Sequence, residues 1–331
     1  MGIEKDRRRA LKQLFYIIFV LLITSCTWVK DDNEDCPYGF WLNLHYTYNM
    51  LDVDAASEYI DEVSIYVYDT NGNYVTRIDA PTQTLKANKY RVRVDGLKEG
   101  DYQFVVWSGV ADGRYAVSGD KGKLTDYRLS LSGLSLVSSK QLPDLYYGSL
   151  STVHYGNAYA VHDVYLMKNT NELACCIVTT DADVTIDSDE YSMKLVTANG
   201  TMDAANRLVS DKKISYEPFL QDIVYIKDAE YGDLHGFKCN ISTLRLMQNT
   251  DCRIVLTKKE TGHEIFNISL PDLLGKLGTL YTKLGRPLSV QEYLDRQDFY
   301  TLIFIYSGDL DQLIQFQVNS WKLRANNHIK V

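Results

Sequence analysis

Cysteine is scarce in this sequence, six in 331 residues, and no two stand at the Cys-x-x-Cys spacing of a zinc or redox site. Setting aside Cys26 near the N-terminus, the others (Cys36, Cys175, Cys176, Cys239 and Cys252) are odd in number, which excludes a fully paired disulfide scaffold. Adjacent Cys175 and Cys176 would point to opposite faces of a strand and read as buried thiols. A Cys239–Cys252 pair across neighbouring strands is left open. Positive charge is also in deficit, 35 Lys and Arg against 43 Asp and Glu. Five of those basic side chains and two of the acidic ones lie within residues 1–25, so the body beyond is more acidic than the whole chain's net −8. Such a body has no nucleic-acid partner and no electrostatic grip on anionic lipid, because both are bound through Lys and Arg.

Catalytic signatures are missing as well. There is no Gly-x-Ser-x-Gly elbow, no glycine-rich phosphate loop and no His-Glu-x-x-His; the histidines (His45, His154, His162, His235, His263, His328) are scattered. Asp69-x-Asn71-x-Asn73 alternates oxygen ligands like a calcium loop. Its glycine, however, is at loop position four instead of six, and Ala80 stands where a bidentate Glu is needed, so a hairpin turn is expected. Asp187 and Asp189 read as a solvated turn. No catalytic residue, metal or cofactor is predicted, and no enzyme.

The one long apolar run, Leu14–Ile23, follows Lys5, Arg7, Arg8, Arg9 and Lys12 and precedes the small residues Thr24 and Ser25. That order makes a secretory signal, and the run is too short for a bilayer span of ~20 residues. Ile23-Thr24-Ser25-Cys26 matches the lipobox of bacterial lipoproteins. Residues 1–25 are therefore expected to be removed, leaving Cys26 lipidated and the protein held to the outer membrane through covalent lipid. Residues 26–36 read as an acidic tether with nothing to bury. Within it Lys30, Asp31 and Asp32 resemble the signal that sends Bacteroidetes lipoproteins to the outer face of the outer membrane.

Beyond the tether, 25 tyrosines and repeated period-two alternation favour strands. Phe40, Leu42, Leu44, Tyr46 and Tyr48 alternate with polar or half-buried positions. Val63–Tyr68 and Tyr74–Ile78 flank Asn71-Gly72, the strongest short hairpin signal. Further strands are expected at 90–95, 102–107, 161–168, 172–180, 191–197, 222–227, 236–247, 253–257, 300–306 and 313–318. A short helix is expected at 54–62, and loops with short strands at 111–157. Leu273, Leu277, Leu280 and Leu284, at helical spacing, predict core-facing helices within 271–296. The class is all-β, as two tandem sandwiches over residues 37–162 and 163–331 with a helical insertion in the second.

Asp35-Cys36-Pro37, Tyr48-Asn49-Met50, the 63–74 hairpin, Tyr102–Gly109, Leu142–Gly148, Gln291–Tyr300 and Asn319–Arg324, in this order, resemble the FimB/Mfa-type fimbrial anchor lipoproteins of the Bacteroidales. The resemblance implies transthyretin-like sandwiches in a subunit that anchors a type V pilus, ends its polymerisation and has a fimbrial stalk subunit as partner. It implies joining by strand addition. The C-terminal end, where Trp321, Leu323 and Ala325 alternate with Lys322, Arg324 and Asn326, is then a possible donor strand, or else an ordinary edge strand. The competing readings are a surface carbohydrate-binding lipoprotein, with tyrosines as sugar platforms, and a surface hydrolase.

Overall fold

The computed structural model describes residues 39–133, 136–156, 160–209, 212–276, 280–319 and 321–324. Alternation decides its first strand. β1 (Phe40–His45) buries Phe40, Leu42 and Leu44 and leaves Trp41, Asn43 and His45 partly exposed, as one buried face of a pleat requires. It occupies the centre of a three-stranded sheet, between β4 (Arg91–Val94), antiparallel to it, and β10 (Ala160–Tyr165), parallel to it. Facing this is a five-stranded sheet in the order β11 (Met167–Lys168), β9 (Tyr146–Tyr155), β5 (Gly100–Ser108), β2 (Val63–Asp69), β3 (Tyr74–Ala80). Ile65, Val67, Phe104, Val106, Val92 and Val94 pack on the buried face of β1 between the two sheets. Phe40 meets Phe104 edge-on at 5.7 Å and Tyr155 at 6.0 Å. Helices α1 (Ala56–Tyr59) and α2 (Thr82–Ala87) add Ala56 and Leu85 to that core.

The β2–β3 hairpin is closed as its Asn-Gly pair predicts. Gly72 adopts φ +73°, and the Asp69 carboxylate accepts the N–H groups of Asn71 (2.9 Å) and Asn73 (2.8 Å). These are turn bonds, not a cation cradle.

The second sandwich sets a six-stranded sheet against a five-stranded one. The first runs β16 (Leu220–Asp228), β17 (Gly232–Leu244), β12 (Thr170–Thr179), β22 (Phe299–Ser307), β23 (Gln312–Val318), β24 (Trp321–Arg324); the second runs β19 (Glu264–Ser269), β18 (Arg253–Lys258), β13 (Tyr191–Thr197), β15 (Ile214–Tyr216), β8 (Val137–Ser138). A small sheet of β14 (Thr201–Asp203), β7 (Arg128–Leu131) and β6 (Tyr115–Ser118) lies beside them. One apolar cluster runs from Tyr66, Trp107 and Tyr147 of the first unit through Tyr127 and Met202 into Ile177, Phe237 and Phe304 of the second. β10 crosses the expected junction at 162/163, and β8, from the earlier half, pairs with β15 of the later.

Two expectations are corrected. The 111–157 stretch contains, besides its short strands, the ten-residue β9 in the middle of a sheet. Within β9 a Cβ at Gly148 would lie 2.8 Å from the side chains of Val164 and Leu166, so glycine is there for close packing. In the 271–296 stretch the helical leucine period is broken. Helix α3 (Leu270–Gly275) ends at its glycine, β20 (Leu280–Tyr281) and β21 (Pro287–Leu288) form a small hairpin, and α4 (Val290–Arg296) follows. Leu273 and Leu280 are buried, Leu284 is 71% exposed at the hairpin turn, and Leu277 lies outside the described residues. Cys175, Cys176, Cys239 and Cys252 are free and buried, and burial pushes the Cys239 thiol up to about 11 and Cys252 to about 12. Cys239 stands opposite Cys175 on β12, while Cys252 leads into β18 of the facing sheet, so the Cys239–Cys252 pair is not formed.

Candidate functional site

β1 is the first strand among the described residues, and it is held at its sides and at its end. The His45 ring is clasped by two carboxylates, Nδ1 at 2.6 Å from Asp54 Oδ2 and Nε2 at 3.1 Å from Asp163 Oδ1. Asn43 Nδ2 donates to the same Asp163 oxygen at 3.0 Å, and the imidazole stacks on Tyr165 at 5.2 Å. Burial opposes the imidazolium, but the hydrogen bonds and charges of Asp54 and Asp163 outweigh it and raise the His45 pKa. Asp54 is lowered despite its burial by the Tyr46 N–H and His45, and Asp163 by Asn43 and His45. The cluster therefore staples β1 to β10 on one side and to the turn before α1 on the other.

Past His45 the chain is pinned to the second sandwich. Arg296, on α4 and nearly buried, donates through Nη1 to the Asn49 carbonyl and to Asp52 Oδ1, both at 2.9 Å, and its guanidinium lies 4.0 Å over the Tyr48 ring. Arg286 reaches the same Asp52 oxygen at 3.1 Å. Glu292 ties the two arginines together, at 2.8 Å from Arg286 and 3.1 Å from Arg296. Both halves of this clamp, Tyr48-Asn49-Met50 and Gln291–Tyr300, stand among the sequence motifs, but nothing in the sequence joins them. The only local signal was the i, i+4 spacing of Glu292 and Arg296.

At the other terminus Trp321 and Leu323 lie in β24, which pairs with β23 at Val318↔Trp321 and Phe316↔Leu323 as an edge strand. Lys322 Nζ reaches Asp228 Oδ2, at the end of β16, at 2.9 Å. Ala325, Cys26, Lys30, Asp31 and Asp32 lie outside the described residues.

Among the described residues no group of three His, Cys, Asp or Glu could hold a metal, and no helix is long and apolar enough to cross a membrane. A cavity of about 450 Å³ between the units is lined by Arg128, Tyr147, Asp203 and Arg207. Those polar groups are already engaged: Arg128 with the carbonyls of Thr125 and Tyr127, Arg207 with Asp203, and Tyr147 with the Ala204 carbonyl.

The sequence profile of the fimbrillin-A associated anchor proteins Mfa1 and Mfa2 matches residues 33–327. No curated protein sequence matches the chain. Among solved structures, a Bacteroides thetaiotaomicron protein described provisionally as an adhesin is similar at 28% identity and TM-score 0.75, covering 89% of this chain and 100% of its own. Another from the same species, described provisionally as polysaccharide-binding, is similar at 29% identity and TM-score 0.72, covering 87% and 98%. The fimbrial anchor protein Mfa2 of Porphyromonas gingivalis shares the fold at 16% identity and TM-score 0.65, covering 88% and 100%.

Proposed function

Because the chain belongs to the family of fimbrillin-A associated anchor proteins, a family of the cell envelope, we propose that it is an outer-membrane lipoprotein that holds a fimbria to the cell surface and ends its polymerisation. Lipid on Cys26 supplies the hold. The tether that follows, with Lys30, Asp31 and Asp32 as export signal, carries the body outward.

The observation that carries the terminating role is the position of β1. Its central place between β4 and β10, with Phe40, Leu42 and Leu44 buried, fills the slot that strand addition would need. A cut between Cys26 and β1 would also detach the body from its lipid, so the strand is kept. The stalk subunit is joined at the C-terminal end, where β24 is only four residues long and bonded along one side, and so the easiest strand of its sheet to give away. Trp321, Leu323 and Ala325 would be the donated residues.

The carbohydrate-binding alternative needs tyrosine platforms. Tyr66, Tyr68, Tyr127, Tyr146, Tyr155, Tyr191, Tyr216 and Tyr300 are fully buried, and the exposed Tyr59, Tyr165, Tyr225 and Tyr281 stand on four separate elements. Tyrosine here serves mainly the core. Deleting residues 319–331 tests the joining step: the protein should remain folded and lipidated while long fimbriae appear in the medium. Fimbriae of normal length still bound to those cells would remove the donor role.

A further inference from the structure

The six-stranded sheet ends on one side in β16, at nine residues the longest edge strand among the described residues. An edge strand exposes a row of unpaired main-chain N–H and C=O groups, and proteins blunt such edges with charge, bulges or short length. Other edges among the described residues carry such devices. β3 carries Arg77 and Asp79, β4 carries Arg91 and Arg93, β10 carries Asp163, β19 carries Glu264 and pairs across a bulge, and β24 and β8 are short.

β16 keeps its charges, Asp222, Lys227 and Asp228, to its two ends. Ile223-Val224-Tyr225-Ile226 is an uncharged run, with Ile223 70% and Tyr225 80% exposed on one face. On the other face Val224 and Ile226 are partly buried against Val178, Leu234 and Ile305. Among the described residues no strand pairs with its outer side. Beside its first residues a cavity of about 390 Å³ opens among Tyr191, Pro218, Phe219, Gln221 and Lys259, room for side chains that β16 itself does not supply.

The charges at the ends of the run select the occupant. A second copy pairing across a two-fold axis normal to the sheet must oppose residues of equal parity, because opposed residues share a face. Centred on Val224, that pairing sets Asp222 against Ile226 and Leu220 against Asp228. Centred on Tyr225 it sets Asp222 against Asp228, and centred on Ile223 it sets Asp222 against Val224. Each of these registers sets a carboxylate opposite carbon or opposite another carboxylate. A different chain is free of this conflict.

We propose that β16 is a docking edge for an extended segment of another fimbrial subunit, which adds as a seventh strand. Its apolar residues lie opposite Ile223–Ile226, with a basic residue opposite Asp222 and an acidic one opposite Lys227. This rests on the fimbrial reading above and gives the protein a second point of contact, on the edge strand whose last residue, Asp228, is reached by Lys322 of β24.

The test uses cells that make fimbriae. A photo-crosslinking amino acid in place of Tyr225 should yield, on illumination, an adduct containing a fimbrial subunit. The double variant Ile223→Lys, Tyr225→Lys should lower fimbrial retention on the order of ten-fold, the scale of losing a central apolar contact pair. The purified double variant should melt with wild-type protein, because both side chains are exposed. An adduct only with a second copy, no adduct at all, or wild-type retention by the double variant overturns the proposal. Deleting the whole gene separates the two levels. If the deletion leaves fimbriae on the cells, the fimbrial reading itself falls; if it sheds them while the double variant keeps them, only the docking edge falls.

Discussion

His45, Arg296 and Cys26 each carry a separable part of the account. A histidine whose folded pKa is raised contributes fully below its ordinary value of 6.5, and that contribution fades as pH climbs through the raised value. Its partners Asp54 and Asp163 are lowered, so their contribution is present above the ordinary 3.8 and fades as pH falls. The staple on β1 is therefore strongest between about pH 4 and 6.5. Both carboxylates are over a third exposed, so its worth is at most about 1 kcal/mol after solvent screening. Melting curves of wild type and His45→Gln should differ most in that window and converge towards pH 9; a gap that does not change with pH would dismiss the staple. Arg296→Ala removes three charge-assisted bonds, to Asn49, Asp52 and Glu292, and the cover of Tyr48, for an expected loss of about 2–3 kcal/mol in chemical denaturation. A loss below about 0.5 kcal/mol would make the clamp ornamental. Under the proposed anchoring, Cys26→Ala should move the protein from the membrane fraction to the soluble one, because it removes acyl chains worth ~0.8 kcal/mol per buried methylene. A mutant that still sediments after a high-salt wash would contradict lipid anchoring.

Among the elements, β1 bears the most weight. With both neighbours paired and one face in the core, its amides from Phe40 to His45 should exchange with solvent only on global unfolding. Early exchange there, with β12 still protected, would show a strand ready to leave and would undercut the terminating role. Where the sequence was legible, one local signal dominated: the period of two in β1 and β13, and Asn71-Gly72 in the hairpin. Where it was not, a distant packing need overrode local appearance. The stretch 111–157 looks like loops with short strands until Gly148 is packed against Val164 and Leu166 within β9, and the leucine period of 273–284 looks helical until α3 stops at Gly275. The clamp joins Asn49 to Arg296, 247 residues apart. No window of sequence contains such a contact.

At the scale of the molecule, the all-β class and the two sandwiches could be read from alternation and composition, and the family from motifs whose order held across the chain. What could not be read is that the halves interlock: β8 pairs into the later sheet and one apolar cluster passes between the units. Through that contact and the Arg296 clamp, the segment that follows β1 is tied to the second sandwich as well as to the first. The central claim is a subunit that stays lipidated, keeps its first strand and ends a fimbria. The most direct measurement is mass spectrometry of this protein in fimbriae released from membranes with mild detergent. The account predicts a small amount relative to the stalk subunit, with one unbroken sequence from an acylated Cys26 through Phe40–His45. Its absence from the fimbriae, or a mature form that begins after His45, would contradict the account.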